Sequence, residues 1–233
     1  MNAIQKEPRK QYKYLTFLAI FYFTGWAATY PMVYKIVSIG NVLETAAIFL
    51  FPLSYAIADV ITEVYGYRVA RQIFWSSLIC GLIFTSSLQF IANIPAEKFS
   101  PNDQSYHLVF YHIVRAYMAL TIASIAGNFI NIYFISKSKI FFYGKHFWFR
   151  SLLSTCIGEL IFTIIGGASA YTGIEPWSRI FFLMLDGYFF KVIYACIAVW
   201  FVVIAARFLK KSEKVDVYDH NVNYNPFKFS TDE

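Results

Sequence analysis

Apolar residues come in six blocks separated by short polar connections: residues 14–34, 42–62, 69–91, 109–136, 149–171 and 180–209. At 1.5 Å of rise per residue, about twenty residues cross the ~30 Å hydrocarbon layer of a bilayer. The pattern predicts an all-α membrane protein, a bundle of six transmembrane helices. The first block is too long for a cleaved signal peptide, and no small-residue cleavage pattern follows it. An even number of spans places both termini on the same side.

Composition agrees. Of the 233 residues 58% are apolar and only 15% charged, which excludes a disordered chain. Cys80, Cys156 and Cys196 all sit in apolar runs, which excludes a disulfide scaffold. The net charge of +6 comes from cations placed between the blocks, so it reads as a topology signal and not as a nucleic-acid surface. Fifteen Lys and Arg fall on the side of the termini: in the N-terminal tail, at Arg68 and Arg71, from Lys137 to Arg150, and after Ala206. Only Lys35, Lys98 and Arg179 fall opposite, and Arg115 and Lys191 lie within spans. Positive-inside orientation then predicts cytoplasmic termini. The organisation expected is a basic tail (1–13), a six-helix transporter-like unit (14–209) and a polar, mobile tail (210–233), in which Asn223-Tyr224-Asn225-Pro226 reads as a turn. The longest connection opposite the tails, 93–108, is polar, with Pro95 and Pro101.

The chain has no GxxxxGK[ST], HExxH or GxSxG motif, and its four histidines have no metal-ligand spacing. The expectation is no catalytic residue, no metal site, no cofactor and no ATP hydrolysis by this chain alone.

Charges inside an apolar bundle cost several kcal/mol unless they face its interior and find partners. Seven qualify: Asp59, Glu63, Arg71, Arg115, Glu159, Asp186 and Lys191. Glu159 and Lys191 lie near mid-span, with Asp186 and Arg115 nearer the outer face. Asp59 and Glu63 share a helix face at i and i+4, with Arg68 and Arg71 in reach, which suggests a gate or ion-pair network of Asp59, Glu63, Arg71 and Asp186. Small and polar residues recur every four positions through Arg115, Ala119, Ala123, Gly127 and Asn131, and again through Ser151, Thr155, Glu159, Thr163 and Gly167. Such stripes allow close helix contact and permit a homodimer. Asn128, Asn131 and Glu159 add buried amides and a carboxylate that packing alone does not need. Gly127-Asn128-Phe129-Ile130-Asn131 and Gly158-Glu159-Leu160-Ile161-Phe162 look alike, as do paired half-sites of carriers.

Taken together, these residues resemble the queuosine-precursor transporter family, within the vitamin-uptake-type six-helix transporters. The resemblance runs through Phe51-Pro52-Leu53, Ala58-Asp59-Val60-Ile61-Thr62-Glu63-Val64-Tyr65-Gly66 and Ala70-Arg71. It continues with Arg115, Gly127-Asn128, Ser154-Thr155, Gly158-Glu159 and Lys191, covering roughly residues 15–209. It implies import of a 7-deazaguanine base such as preQ0 or preQ1, a tRNA-modification precursor, across the bacterial inner membrane by a multi-pass protein. The partners implied are that small purine-like substrate and the lipid bilayer. A carboxylate can accept the N1–H and exocyclic amine of such a base, amides can meet its O6, and aromatic faces can stack its ring. On this basis Glu159, Asn128, Asn131, Arg115 and Lys191 are the candidate substrate-binding residues, with Glu159 on the base edge. The chain departs from the family pattern of an amide followed three residues later by aspartate: it has Asn128 with Asn131, and Glu159 with Phe162. Either the carboxylate has moved by one turn or the ligand differs.

Two function classes follow. One is an ATPase-free secondary carrier or facilitator for a planar base. The other is a substrate-binding membrane subunit that needs a separate energising module.

Overall fold

A computed structural model describes residues 12–40, 42–97 and 102–228. Lys6, Arg9 and Lys10 of the basic tail, and Lys98, lie outside the described residues. Among the described residues seven α-helices follow in order: α1 (Leu15–Thr29), α2 (Phe51–Tyr65), α3 (Tyr67–Ala92), α4 (Asp103–Phe110), α5 (Ile113–Phe141), α6 (Phe147–Tyr171) and α7 (Trp177–Glu213). Among the described residues five segments are long and apolar enough to cross a membrane: Ala46–Tyr65, Tyr67–Ala92, Asp103–Phe141, Phe147–Tyr171 and Trp177–Glu213. α1, lengthened by a 3-10 turn over Tyr30–Met32, is the candidate sixth. The chain is a multi-pass helical membrane protein.

The second apolar block is not one helix. Its first residues form the strand β2 (Val42–Thr45), paired antiparallel with β1 (Ile36–Ile39), and a 3-10 turn (Ala46–Phe49) follows. The helix starts only at Phe51, with Pro52 in its first turn, where the missing N–H has no helical partner to lose. The hairpin marks one end of the bundle. The polar connection holds α4, a two-turn helix without buried residues.

Large apolar side chains such as Ile83, Ile122, Ile164, Ile193 and Phe201 cover the outside. In a bilayer these are the residues that meet lipid. Polar and charged side chains turn inward. α5 and α6 cross at the two glycines of the look-alike segments: a Cβ on Gly127 would stand 2.5 Å from the Gly158 carbonyl oxygen, and one on Gly158 2.7 Å from that of Gly127. Only hydrogen fits there, and the two backbones touch.

The opposite end of the bundle gathers the start of α1 and the end of α7. The Glu213 carboxylate accepts the backbone N–H of Lys13 and Tyr14 at 3.0 and 2.7 Å, capping α1. The polar C-terminal segment is not a free tail. Val217 N–H donates to the Val64 carbonyl at 3.2 Å. The Asp219 carboxylate accepts from Tyr67 N–H at 2.9 Å and the Ser136 hydroxyl at 2.6 Å. Arg71 donates to the carbonyls of Asn223 and Asn225, and the Trp75 indole to that of Pro226. Gly66, at φ 85°, makes the sharp bend between α2 and α3, and a Cβ there would meet Val217 at 2.8 Å and Asp219 at 2.9 Å. Residues 215–228 therefore form a strap across this end.

Candidate functional site

α2 carries Phe51, Tyr55, Asp59 and Glu63 at four-residue spacing, so they stack on one face, and all four are buried. Each marks a layer completed mainly by α6 and α7. At 1.5 Å per residue the layers span ~18 Å of the bundle axis.

On the hairpin side of Phe51 lies a chamber of about 80 Å³ lined by residues of α1, β2, α2, α6 and α7. Its walls are mostly apolar, but two charged side chains reach it: Glu44 from β2 and Lys191 from α7. Glu44 is 3% exposed. Its Oε2 accepts the Thr45 N–H at 3.1 Å, while its Oε1 has no hydrogen-bond partner among the described residues. The carboxylate rests on Gly187, where a Cβ would stand 2.8 Å from Oε1. Burial pushes the Glu44 carboxyl up to about 7, against the opposing pull of the Thr45 amide and the Lys191 charge, with Asp186 adding to the rise.

Lys191 lies one turn beyond Gly187 on the same face of α7, ~6 Å further along. Its Nζ donates to the Thr163 hydroxyl at 3.0 Å and stands 3.2 Å from Glu159 Oε2. The ammonium also lies 4.7 and 4.8 Å from the ring centres of Phe51 and Phe162, a cation–π arrangement. Those two rings are 4.3 Å apart, and Trp26 packs edge-on to Phe51 at 5.0 Å. This aromatic layer floors the chamber. Glu159, 1% exposed, sits behind Lys191 and does not line the chamber.

Below the aromatic floor, Asp59 accepts hydrogen bonds from Asn131 Nδ2 at 2.6 Å, from the Thr155 hydroxyl at 3.1 Å and from the Ser151 hydroxyl. The next layer is ionic. Arg150 grips both carboxylate oxygens of Glu63 at 3.1 Å, in the two-pronged geometry that suits a guanidinium. Lys210 reaches Glu63 at 2.6 Å and Asp216 of the strap at 2.9 Å, and Lys139 joins Asp216 at 2.5 Å. Burial acts against the Asp216 charge, but the two lysine hydrogen bonds outweigh it and hold the carboxyl below its ordinary range.

The sequence-derived residues separate into different places. Glu159 and Lys191 come together at the chamber. Asn128 donates instead to the Tyr22 hydroxyl at 2.6 Å, Asn131 serves Asp59, and neither lines the chamber. Arg115 is exposed and donates to the Thr172 carbonyl at 2.7 Å. Glu63 takes Arg150 and Lys210, not Arg71, which holds the strap. Asp186 is half-buried, with no ion pair among the described residues. Glu44 escaped the reading because it stands at the edge of an apolar block, where it passes for a boundary charge. Arg150, Lys139 and Lys210 passed for topology cations, although the first two are 2% exposed.

Comparison with known proteins bears on this arrangement. The profile of a family described as "Putative vitamin uptake transporter" matches residues 45–205, from the end of the hairpin through most of α7. The chain belongs to this vitamin uptake transporter family. A relative from Bacillus subtilis (strain 168), named "Probable queuosine precursor transporter", is 23% identical over 209 residues, covering 87% of this chain and 90% of that protein. The resemblance read from the proline, acidic, glycine and arginine series is thus borne out at the level of the family. No solved structure matches the chain. As in the family's description, a membrane-embedded transporter is the setting in which the chamber has to be understood.

Proposed function

We propose that this vitamin uptake transporter family member carries a 7-deazaguanine base of the preQ0 or preQ1 type across the bacterial inner membrane, without an ATPase of its own. The observation that carries this reading is the pair of unlike charges facing one chamber about one helical turn apart. One edge of a guanine-like base offers two adjacent donors, N1–H and the exocyclic amine, beside one acceptor, O6. The open Glu44 oxygen accepts the donors, and the Lys191 ammonium, already turned to the chamber, donates to O6. The Phe51 and Phe162 rings offer faces for the planar base. Glu159 balances the Lys191 charge from behind, so with Glu44 ionised the site carries one net negative charge to meet the donor edge of the base. In this assignment Glu44 takes the edge-reading part that the sequence pattern gave to Glu159.

The name of the Bacillus relative and the family description support the substrate class, and the spacing of Glu44 and Lys191 supports the orientation. The test is uptake of labelled preQ0 and preQ1 in a bacterial host lacking both precursor synthesis and its own importer, read as queuosine in tRNA. Rescue by the native chain, lost in Glu44→Gln and Lys191→Met at equal membrane abundance, is expected. Rescue unchanged in both variants would remove the two residues from the site. Absence of rescue by an inserted native chain would favour another ligand or a substrate-binding subunit that works only with an energising module.

A further inference from the structure

Of the buried carboxylates on α2 and α6 among the described residues, Asp59 alone lacks a cation. Glu159 has Lys191, and Glu63 has Arg150 and Lys210. Asp59 is 1% exposed and has no cation within ion-pair distance among the described residues. Its three neighbours, Asn131, Ser151 and Thr155, are all neutral and all donate to it. That is the geometry of an ionised, acceptor-only carboxylate. An uncompensated charge at this depth is costly, and side chains in such places mark ion or proton paths.

A cavity of about 20 Å³ adjoins the group, bounded by Asp59, Ser151 and Thr155 on one side and by Tyr194 and apolar residues of α7 on the other. The volume suits one water-sized occupant. Ser151 and Thr155 have given their hydrogens to the carboxylate, which leaves their oxygen lone pairs for a hard cation beside the carboxylate oxygen. Both donate to the same oxygen, Oδ2, so three oxygens from α2 and α6 gather at one point.

We propose that Asp59, Ser151 and Thr155 form a monovalent-cation site that takes sodium. The compact cavity favours the smaller alkali ion over potassium, and a single positive charge compensates the Asp59 carboxylate. The site is separate from the chamber, with the Phe51–Phe162 layer between them. For a carrier that hydrolyses no ATP, sodium bound here is a driving ion; the binding claim itself does not depend on the substrate.

The decisive experiment is equilibrium binding of radiolabelled sodium to the purified full chain in detergent, with no substrate added. Saturable binding to one site per chain is expected, displaced by unlabelled sodium far better than by potassium or choline. Asp59→Asn should abolish it, and Thr155→Val and Ser151→Ala should each weaken it about tenfold or more. Each variant is to elute as a single species; should Asp59→Asn fail to do so, the two hydroxyl variants decide. The proposal is overturned by no saturable binding at physiological salt, by equal displacement by potassium, or by binding undiminished in the variants that fold.

Discussion

Glu44 leans on Gly187: the carboxylate oxygen occupies the place a Cβ would need, 2.8 Å from it. A strand residue and a helix glycine thus fix where a charge meets the chamber. Gly187→Ala pushes only the end of a flexible side chain, so the fold survives while the carboxylate shifts. The expected outcome is an apparent affinity for the base weakened about fivefold or more, a fraction of a hydrogen bond to a charged group, with normal membrane abundance. Uptake kinetics of that variant check it; an unchanged affinity would dissociate Glu44 from recognition.

The same carboxyl titrates in the working range, because burial pushes it up to about 7. A base edge with two donors needs the ionised form. Affinity therefore rises with pH through this value and levels off above it, by about tenfold between roughly pH 6 and pH 8. Binding measured across this range should show the rise in the native chain and a flat profile in Glu44→Gln.

The Glu63 layer is structural by the same bookkeeping of charge. Arg150→Met leaves a fully buried carboxylate with Lys210 alone, and the expected loss is ~3 kcal/mol of stability. Adding Glu63→Gln to that variant removes the stranded charge and recovers part of the loss. Thermal unfolding in detergent of the single and double variants measures both effects.

Asp219 serves as an acceptor for the first turn of α3 from more than 150 positions away. Asp219→Ala leaves the Tyr67 N–H and the Ser136 hydroxyl without it, at an expected cost of ~1–2 kcal/mol. Limited proteolysis should then cut within residues 215–228 faster than in the native chain, and equal rates would show that the strap is held by its other contacts.

How far the sequence carries is visible in particular residues. Twenty-residue apolar runs are a physical requirement of crossing lipid, so the spans of α3, α5, α6 and α7 were legible, with edges a few residues off. The block from 42 to 62 misled because apolarity alone does not distinguish strand, 3-10 turn and helix. Pro52, which suits the first turn of a helix, marks the true helix start and was read only as part of the family resemblance. Glu159 and Lys191 were legible because charge deep in an apolar run demands a partner. Arg150, Lys139 and Lys210 were not: Lys139 reaches Asp216 across 77 residues, and Arg150 and Lys210 reach Glu63 across 87 and 147, and nothing local in the sequence records such pairings. The strap was hidden for the same reason: its polar residues answer needs at the ends of α2 and α3.

That distance along the chain has a consequence for synthesis. α2 and α3 reach the membrane while residues 215–228 are still untranslated, so the bend at Gly66 waits, with the Tyr67 N–H and the Val64 carbonyl wet, until the strap arrives. A chain interrupted after α7 has all its helices and an unsealed end. Arrival of Val217 and Asp219 at that bend is therefore a step separate from insertion of the helices, and it is the one that seals this end of the bundle.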